Sequence, residues 1–98
     1  MWIALVHVGA RNASSPLTGV GAYVNAVGPA SGANDFRQQL ADAVDNLELD
    51  LLEIEDAEPL DERLAHYQVD AEIDELETQA RRDGALHFGT FHNYPATD

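Results

Sequence analysis

The chain of 98 residues has no cysteine and no lysine, and its first 34 residues contain no aspartate or glutamate. The absence of cysteine excludes disulfide cross-links and zinc sites with cysteine ligands, and it leaves the redox compartment open. All five basic residues are arginines. A coding bias or a salt-adapted proteome explains the absence of lysine as well as a function would.

The charge that is present lies almost entirely in the second part of the chain. The formal net charge is −13 and the pI is near 4.3. Residues 1–34 carry +1, from Arg11, and residues 35–98 carry −14, from 18 acids and four arginines. An acidic surface repels nucleic acid phosphates and attracts basic proteins, over a screening length of about 8 Å at physiological salt. We therefore expect no nucleic acid ligand.

The length fits one domain, spanning residues 1–98. The N-terminal apolar run, which begins at Trp2, is too short to cross a membrane, and no basic residue precedes it as in a signal peptide. The sequence therefore predicts a cytoplasmic protein that does not associate with membranes.

Two strands are predicted before the first helix. Trp2 to Val8 is apolar at nearly every position, which is typical of a strand covered on both faces. Gly21 to Val27 alternates with period two and is predicted to pair with it in antiparallel fashion. Within the first strand we expect His7 to be an ordinary core or sheet-face residue.

The next two elements are an amphipathic helix and an acidic strand. Asn34 is predicted as the helix N-cap, and an apolar stripe follows at Phe36, Leu40, Val44 and Leu47. In the strand, which begins near Leu49, two leucines have one parity while Leu52 and Ile54 have the other, which predicts either a β-bulge or a late strand start near 51–52. We expect Leu52 and Ile54 to face the helix, and Pro59 to end the strand.

The remaining chain predicts one more helix and one more strand. Leu60 to Gln68 fits either a helical turn or a packed connection. Asp70 is the expected N-cap of a helix with Val69, Ile73, Leu76 and Ala80 on its apolar side, which Gly84 ends. Ala85 to Phe91 is the last predicted strand.

The order β-β-α-β-α-β predicts an α+β two-layer sandwich, with a four-stranded mixed sheet and both helices on one face. Two helices on one face would leave the other face of the apolar first strand uncovered. We therefore expect self-association, in the simplest case a dimer.

One candidate anion or ligand site lies at the glycine-rich turn from Gly28 to Gly32, because free backbone amides at a helix N-terminus attract anions. The side chains assigned to this site are Ser31 and Asn34, together with Arg11. The turn lacks the spacing and the lysine of a phosphate-binding loop. No HxH or HxxxH pair is present, so we expect no metal site. No nucleophile-elbow motif surrounds the serines, so we assign no catalytic residue and no cofactor.

The sequence leaves three functional hypotheses open. The first is a small acidic, non-enzymatic module that binds a basic protein, as inhibitor and immunity proteins of this charge character bind nucleases. Its binding residues would be the carboxylates of one acidic face, Glu53, Glu55, Asp56, Glu58, Asp61 and Glu62. The second is a small-molecule-binding or enzymatic domain that uses the acid-free loop from Arg11 to Thr18, near His7, Tyr23 or Asn25. The third attributes the acidity to salt adaptation or solubility alone.

Overall fold

A computed structural model of the chain describes residues 1–11, 20–66 and 71–94. These residues form five strands and three helices in the order β-β-α-β-α-α-β-β. The elements are β1 (Trp2–Ala10), β2 (Gly21–Gly28), α1 (Ala33–Asn46), β3 (Leu49–Pro59), α2 (Leu60–His66), α3 (Ala71–Asp83), β4 (His87–Phe88) and β5 (His92–Tyr94). The segment 60–66, which the sequence leaves open between a helical turn and a connection, is therefore the helix α2.

The strands form one open sheet in the order β3-β1-β2-β4, and β5 also pairs with β2. The α+β sandwich that the sequence predicts is confirmed. Every described pairing is antiparallel, however, so the sheet differs from the expected mixed one. The reason is the position of β1: β2 and β3 run in the same direction, but β1 lies between them and is antiparallel to both.

The register between β1 and β2 sorts their side chains into two faces, because residues that pair directly share a face. Ala4 pairs with Ala26 on one face, and Ile3 pairs with Val27 on the other. We call these the α1 face and the α3 face, after the helices that cover them. The helices contribute the following buried residues: Phe36, Leu40 and Val44 from α1, and Ile73, Leu76 and Ala80 from α3.

The two long helices thus lie on opposite faces of the sheet, and not on one face as the sequence predicts. An amphipathic stripe indicates that a helix packs on a sheet but not on which side. Since β1 is apolar on both parities, it accepts a helix on either face. The helix α3 covers the end of its face that includes Ile3, where Leu60 of α2 joins the same core cluster.

The strand β3 contains the predicted bulge. Glu53 pairs with His7 and Leu51 pairs with Val8, which leaves Leu52 as the extra residue. Ile54 packs against the core under α1, as predicted. The prediction for Leu52 is wrong, because its side chain is 54% exposed and lies over Gly9 on the α3 face.

The predicted N-cap of α1 is also wrong. The helix begins at Ala33 with Gly32 as its N-cap, and the backbone N–H of Phe36 donates to the carbonyl of Gly32 at 3.0 Å. The exposed Asn34 therefore lies inside the first turn. Leu47 follows the end of the helix and is 39% exposed, so the buried stripe ends at Val44.

The helix α3 ends at Gly84 as predicted. Gly84 has a φ of +64°, in the left-handed region that favours glycine, and its N–H donates to the carbonyl of Ala80 at 2.8 Å. The expected cap Asp70 and the residue Val69 lie outside the described residues.

The last predicted strand, 85–91, is found only as the short strand β4, and the strand β5 that follows it lies beyond the predicted range. The N–H of Gly89 donates to the carbonyl of Asn25 at 2.8 Å, and a β-carbon at this position would collide with the side chain of Glu72. The end of the Glu72 side chain of α3 would have to move aside for a larger residue at this position, and the strand conformation of β4 ends before Gly89.

Candidate interaction surface

Six carboxylates of β3 and α2, which we call the acidic edge, lie along one border of the sheet. They are Glu53, Glu55, Asp56, Glu58, Asp61 and Glu62. Among the described strands β3 lies at the end of the sheet order. The structure therefore brings the predicted binding residues of the acidic face to one strand and the first turn of the helix that follows it.

Three of these carboxylates lie on the α3 face of the sheet. Glu53 pairs with His7, Glu55 with Leu5 and Glu58 with Ile3. At a rise of about 3.3 Å per residue, the segment from Glu53 to Glu58 extends over about 16 Å. A partner that contacts all three must therefore present several cations along an extended surface.

Arg63 of α2 compensates part of this charge. Its Nε pairs with a carboxylate oxygen of Glu58, and its Nη2 donates to the carbonyl of Asp56 at 3.3 Å. Asp56 lies at a second bulge of β3, with a φ of +54°. Asp61 and Glu62 are exposed, so the outer part of the acidic edge remains strongly negative.

The backbone of β3 is poorly suited to pairing with a further strand. The N–H of Ala10 donates to the carbonyl of Val20 at 2.9 Å, so the even-numbered residues of β1 point their backbone groups toward β2 and the odd-numbered ones toward β3. Glu53 and Glu55 then point their backbone groups toward β1, and Ile54 points outward. Two bulges and a row of carboxylates interrupt the outer border, as in edges protected against strand addition. Recognition at this edge therefore has to use side chains.

Arg11 is held in an ion-pair cluster beside the C-terminal end of α1. Its guanidinium pairs with Asp50 at 3.0 Å and with Asp45 at 3.1 Å, and it also donates to the carbonyl of Leu49. The hydrogen bond that Arg11 donates to Asp50, followed by the one that it donates to Asp45, raises the pKa of Arg11. These contacts join the chain after β1 to α1, through Asp45, and to β3, through Leu49 and Asp50. Arg11 therefore has a structural role.

Ser31 and Asn34, the other two residues of the predicted anion site, lie at the opposite end of α1. A helix of 14 residues is about 21 Å long, so the structure does not bring them together with Arg11. The N–H of Ser31 donates to Oδ2 of Asp35 at 2.9 Å, and this hydrogen bond lowers the pKa of Asp35. The Asp35 carboxylate of the chain itself thus takes up one of the backbone amides of the predicted anion site.

A row of polar and aromatic residues crosses the α3 face where α3 does not cover it. The row runs across four strands through Glu53, His7, Tyr23 and His92. The rings of His7 and Tyr23 are stacked, with centroids 4.4 Å apart and an interplanar angle of 12°. The alternation of side chains within β1 and β2 places His7 and Tyr23 on the face opposite to α1. That these two residues pair with each other depends on the strand register, which a long loop between the strands does not fix in the sequence.

A shallow groove of about 430 Å³ lies between α3 and β4, lined in part by Glu72, Glu75, Gln79 and Phe88. The carboxylate of Glu72 is used within the fold, since its oxygens accept from the side chain of Asn25 at 3.4 Å and from the N–H of Thr90 at 3.3 Å. Among the described residues, no group of three or more His, Asp or Glu side chains is placed to hold a metal ion.

Comparison with known protein families found no model that matches the chain, and comparison with curated proteins and with solved structures found no match either. Within the described ranges, no helix is both long and apolar enough to cross a membrane. The loop 12–18 of the small-molecule hypothesis lies outside the described residues, so that hypothesis stays a prediction.

Proposed function

We propose that this protein is a small acidic, non-enzymatic interaction module, of the kind to which inhibitor and immunity proteins belong, and that its acidic edge binds a basic protein. The observation that carries the proposal is the collection of six carboxylates on one border of the sheet, beside a strand whose backbone is poorly suited to pairing. The cytoplasm is the compartment that we propose for this interaction.

The physical basis is long-range attraction. A cluster of like charges on one surface accelerates encounter with a partner of opposite charge, and salt screens this acceleration. The protein as a whole has a net charge of −13, which adds to the attraction without directing it. The acidic edge supplies the direction, because its carboxylates lie on one side of the fold.

The test compares two variants of equal charge. In the first, four carboxylates of the acidic edge are neutralised: Glu53→Gln, Glu55→Gln, Asp61→Asn and Glu62→Gln. In the control, four exposed carboxylates elsewhere are neutralised: Asp42→Asn, Glu48→Gln, Asp74→Asn and Glu75→Gln. Each protein is immobilised, exposed to an extract of its native source, and the basic protein that it retains is purified for stopped-flow association measurements.

We expect the edge variant to associate at least about tenfold more slowly than the unmodified protein at low salt, and the control variant to lose much less. The association rate of the unmodified protein should fall steeply as salt rises. Equal losses in both variants, or association that salt does not change, would contradict the proposal.

A further inference from the structure

The part of the α3 face that α3 leaves uncovered carries an exposed apolar and aromatic patch. It consists of the half-buried His7 and the exposed Tyr23 and Leu52, and we call it the uncovered patch. Tyr23 is 38% exposed and Leu52 is 54% exposed. The Leu52 side chain lies over the glycine at position 9, and Tyr23 stacks on His7, so both large groups stand on a rigid strand surface.

Carboxylates flank this patch on two sides. Glu53 and Glu55 of the acidic edge lie on the β3 side and share the face of the patch, since they pair with His7 and Leu5. On the other side Glu72, at the start of α3, binds Asn25 of the next row along β2. The patch itself contains no acid. A segment that settles on it therefore meets an apolar centre with Glu53 and Glu55 on one side, and with His92 and the hydrogen-bonded Glu72 on the other.

This pattern matches the known anatomy of protein interfaces, in which a central aromatic or aliphatic cluster is surrounded by a polar and charged rim. Tyrosine is frequent among the residues that dominate binding, and a ring already held by stacking loses little conformational freedom on binding. A second copy of this chain would bring a charge of −13 toward the same carboxylates, which disfavours it as the occupant.

We infer that the uncovered patch is the apolar centre of the docking surface for the basic partner, and that the partner contributes a cationic amphipathic segment. This inference rests on the proposed function and adds the chemistry of the partner. Apolar side chains of the segment cover Tyr23 and Leu52, and its arginines or lysines pair with Glu53 and Glu55. The charges then set the association rate, while the patch sets how long the complex lasts.

The experiment uses two synthetic peptides of equal length and equal positive charge as probes. One alternates arginine and leucine so that a folded segment has an apolar side, and the other replaces each leucine with serine. Binding to the full chain is measured by calorimetry at low and at physiological salt, and amide chemical shifts locate the contact.

The unmodified protein should bind the amphipathic peptide at least about tenfold more tightly than the polar one, with the largest amide shifts at residues 5–9, 21–25 and 52–55. Leu52→Ser and Tyr23→Ser should each remove most of this difference. Leu47→Ser is the matched control, since Leu47 is 39% exposed after α1 and lies outside the patch, and it should leave the difference unchanged. Amide spectra of all three variants establish that they fold.

The outcomes separate the two proposals. Equal affinity for both peptides, or a difference that Leu52→Ser leaves intact, would overturn the role of the patch and leave the acidic edge as the binding surface. No binding of either peptide would overturn both. Sedimentation that shows a dimer disrupted by Leu52→Ser but not by Leu47→Ser would assign the patch to a second copy and also overturn the inference.

Discussion

Gly28 and Leu86 are in such close contact that a β-carbon on Gly28 would stand 2.8 Å from the Cα of Leu86. This contact joins the end of β2 to the residue before β4, and it involves backbone that cannot move aside as the end of a side chain can. We therefore expect Gly28→Ala to lower the free energy of unfolding by about 2–3 kcal/mol, as overpacking of a well-packed site does.

Urea unfolding measures this effect, and Gly32→Ala is its matched control. Gly32 has an extended backbone and nothing within 4 Å of the position of a β-carbon. A smaller loss of roughly 0.5–1 kcal/mol is expected there, because alanine is a weaker N-cap than glycine. Similar losses in the two variants would contradict the proposed contact between β2 and the segment before β4.

Phe36 anchors α1 to its face of the sheet. Its side chain is fully buried in the core cluster, and its ring centroid lies 6.0 Å from that of Trp2. Phe36→Ala should lower the free energy of unfolding by about 3–5 kcal/mol, which is a large part of the 5–15 kcal/mol typical of a whole domain. Leu47→Ala, at an exposed position after the helix, is the control. A loss of stability there as large as at Phe36 would contradict the assignment of Val44 as the last residue of the buried stripe.

Asp35 gives the start of α1 a dependence on pH. The hydrogen bond from the Ser31 N–H lowers the pKa of Asp35 in the folded protein. A carboxyl whose pKa is lower when folded than when unfolded stabilises the fold above the unfolded pKa, near 3.9, and this contribution is lost as the pH falls through the lowered folded pKa.

Unfolding of the unmodified protein and of Asp35→Asn, followed from neutral pH to below pH 3 (about one unit under the ordinary aspartate value), tests this dependence. We expect the unmodified protein to be the more stable at neutral pH and the difference to vanish in acid. A difference that is independent of pH would show that the ionised carboxylate is not the stabilising species. A carbon NMR titration of Asp35 provides the pKa directly.

The dependence of stability on salt concentration tests whether the acidity of the protein is a salt adaptation. With a net charge of −13, screening should raise the free energy of unfolding as potassium chloride is added. At roughly 0.15 M the Debye length is about 8 Å, so repulsion between exposed charges farther apart than this is already largely screened. A rise that continues to molar salt would favour the hypothesis of salt adaptation, and no rise at any concentration would exclude it.

Self-association remains a prediction, but the uncovered apolar surface on which it is based is smaller than the sequence suggests. The sequence predicts that one face of the sheet has no helix, whereas α3 covers part of that face. The part of that face that α3 leaves uncovered is the patch that we assign to the basic partner, so a dimer formed through this patch would contradict that assignment. Sedimentation over a range of protein concentrations tests for a dimer, and a strict monomer would contradict the expectation.

Much of the fold follows from local patterns. The alternation from Gly21 to Val27 and the spacing of Phe36, Leu40 and Val44 correctly predict a strand and a helix, because each depends only on which side of one element is apolar. The same reasoning predicts an irregularity near Leu52, either a bulge or a late strand start, and the structure has the bulge. The face on which the Leu52 side chain lies is not predicted correctly, since it depends on the space over Gly9, a residue of another strand.

The sequence by itself determined the α+β class, the acid-free first part of the chain and the charge of β3, because composition and periodicity are properties of consecutive residues. Only the tertiary structure decided that α1 and α3 lie on opposite faces, that Arg11 is paired with Asp45 and Asp50, and that His7 and Tyr23 stack beside Glu53. These relationships depend on strand register and on helix placement. Both are set by the packing of segments that are distant in sequence, where several arrangements bury the same apolar residues and only shape decides among them.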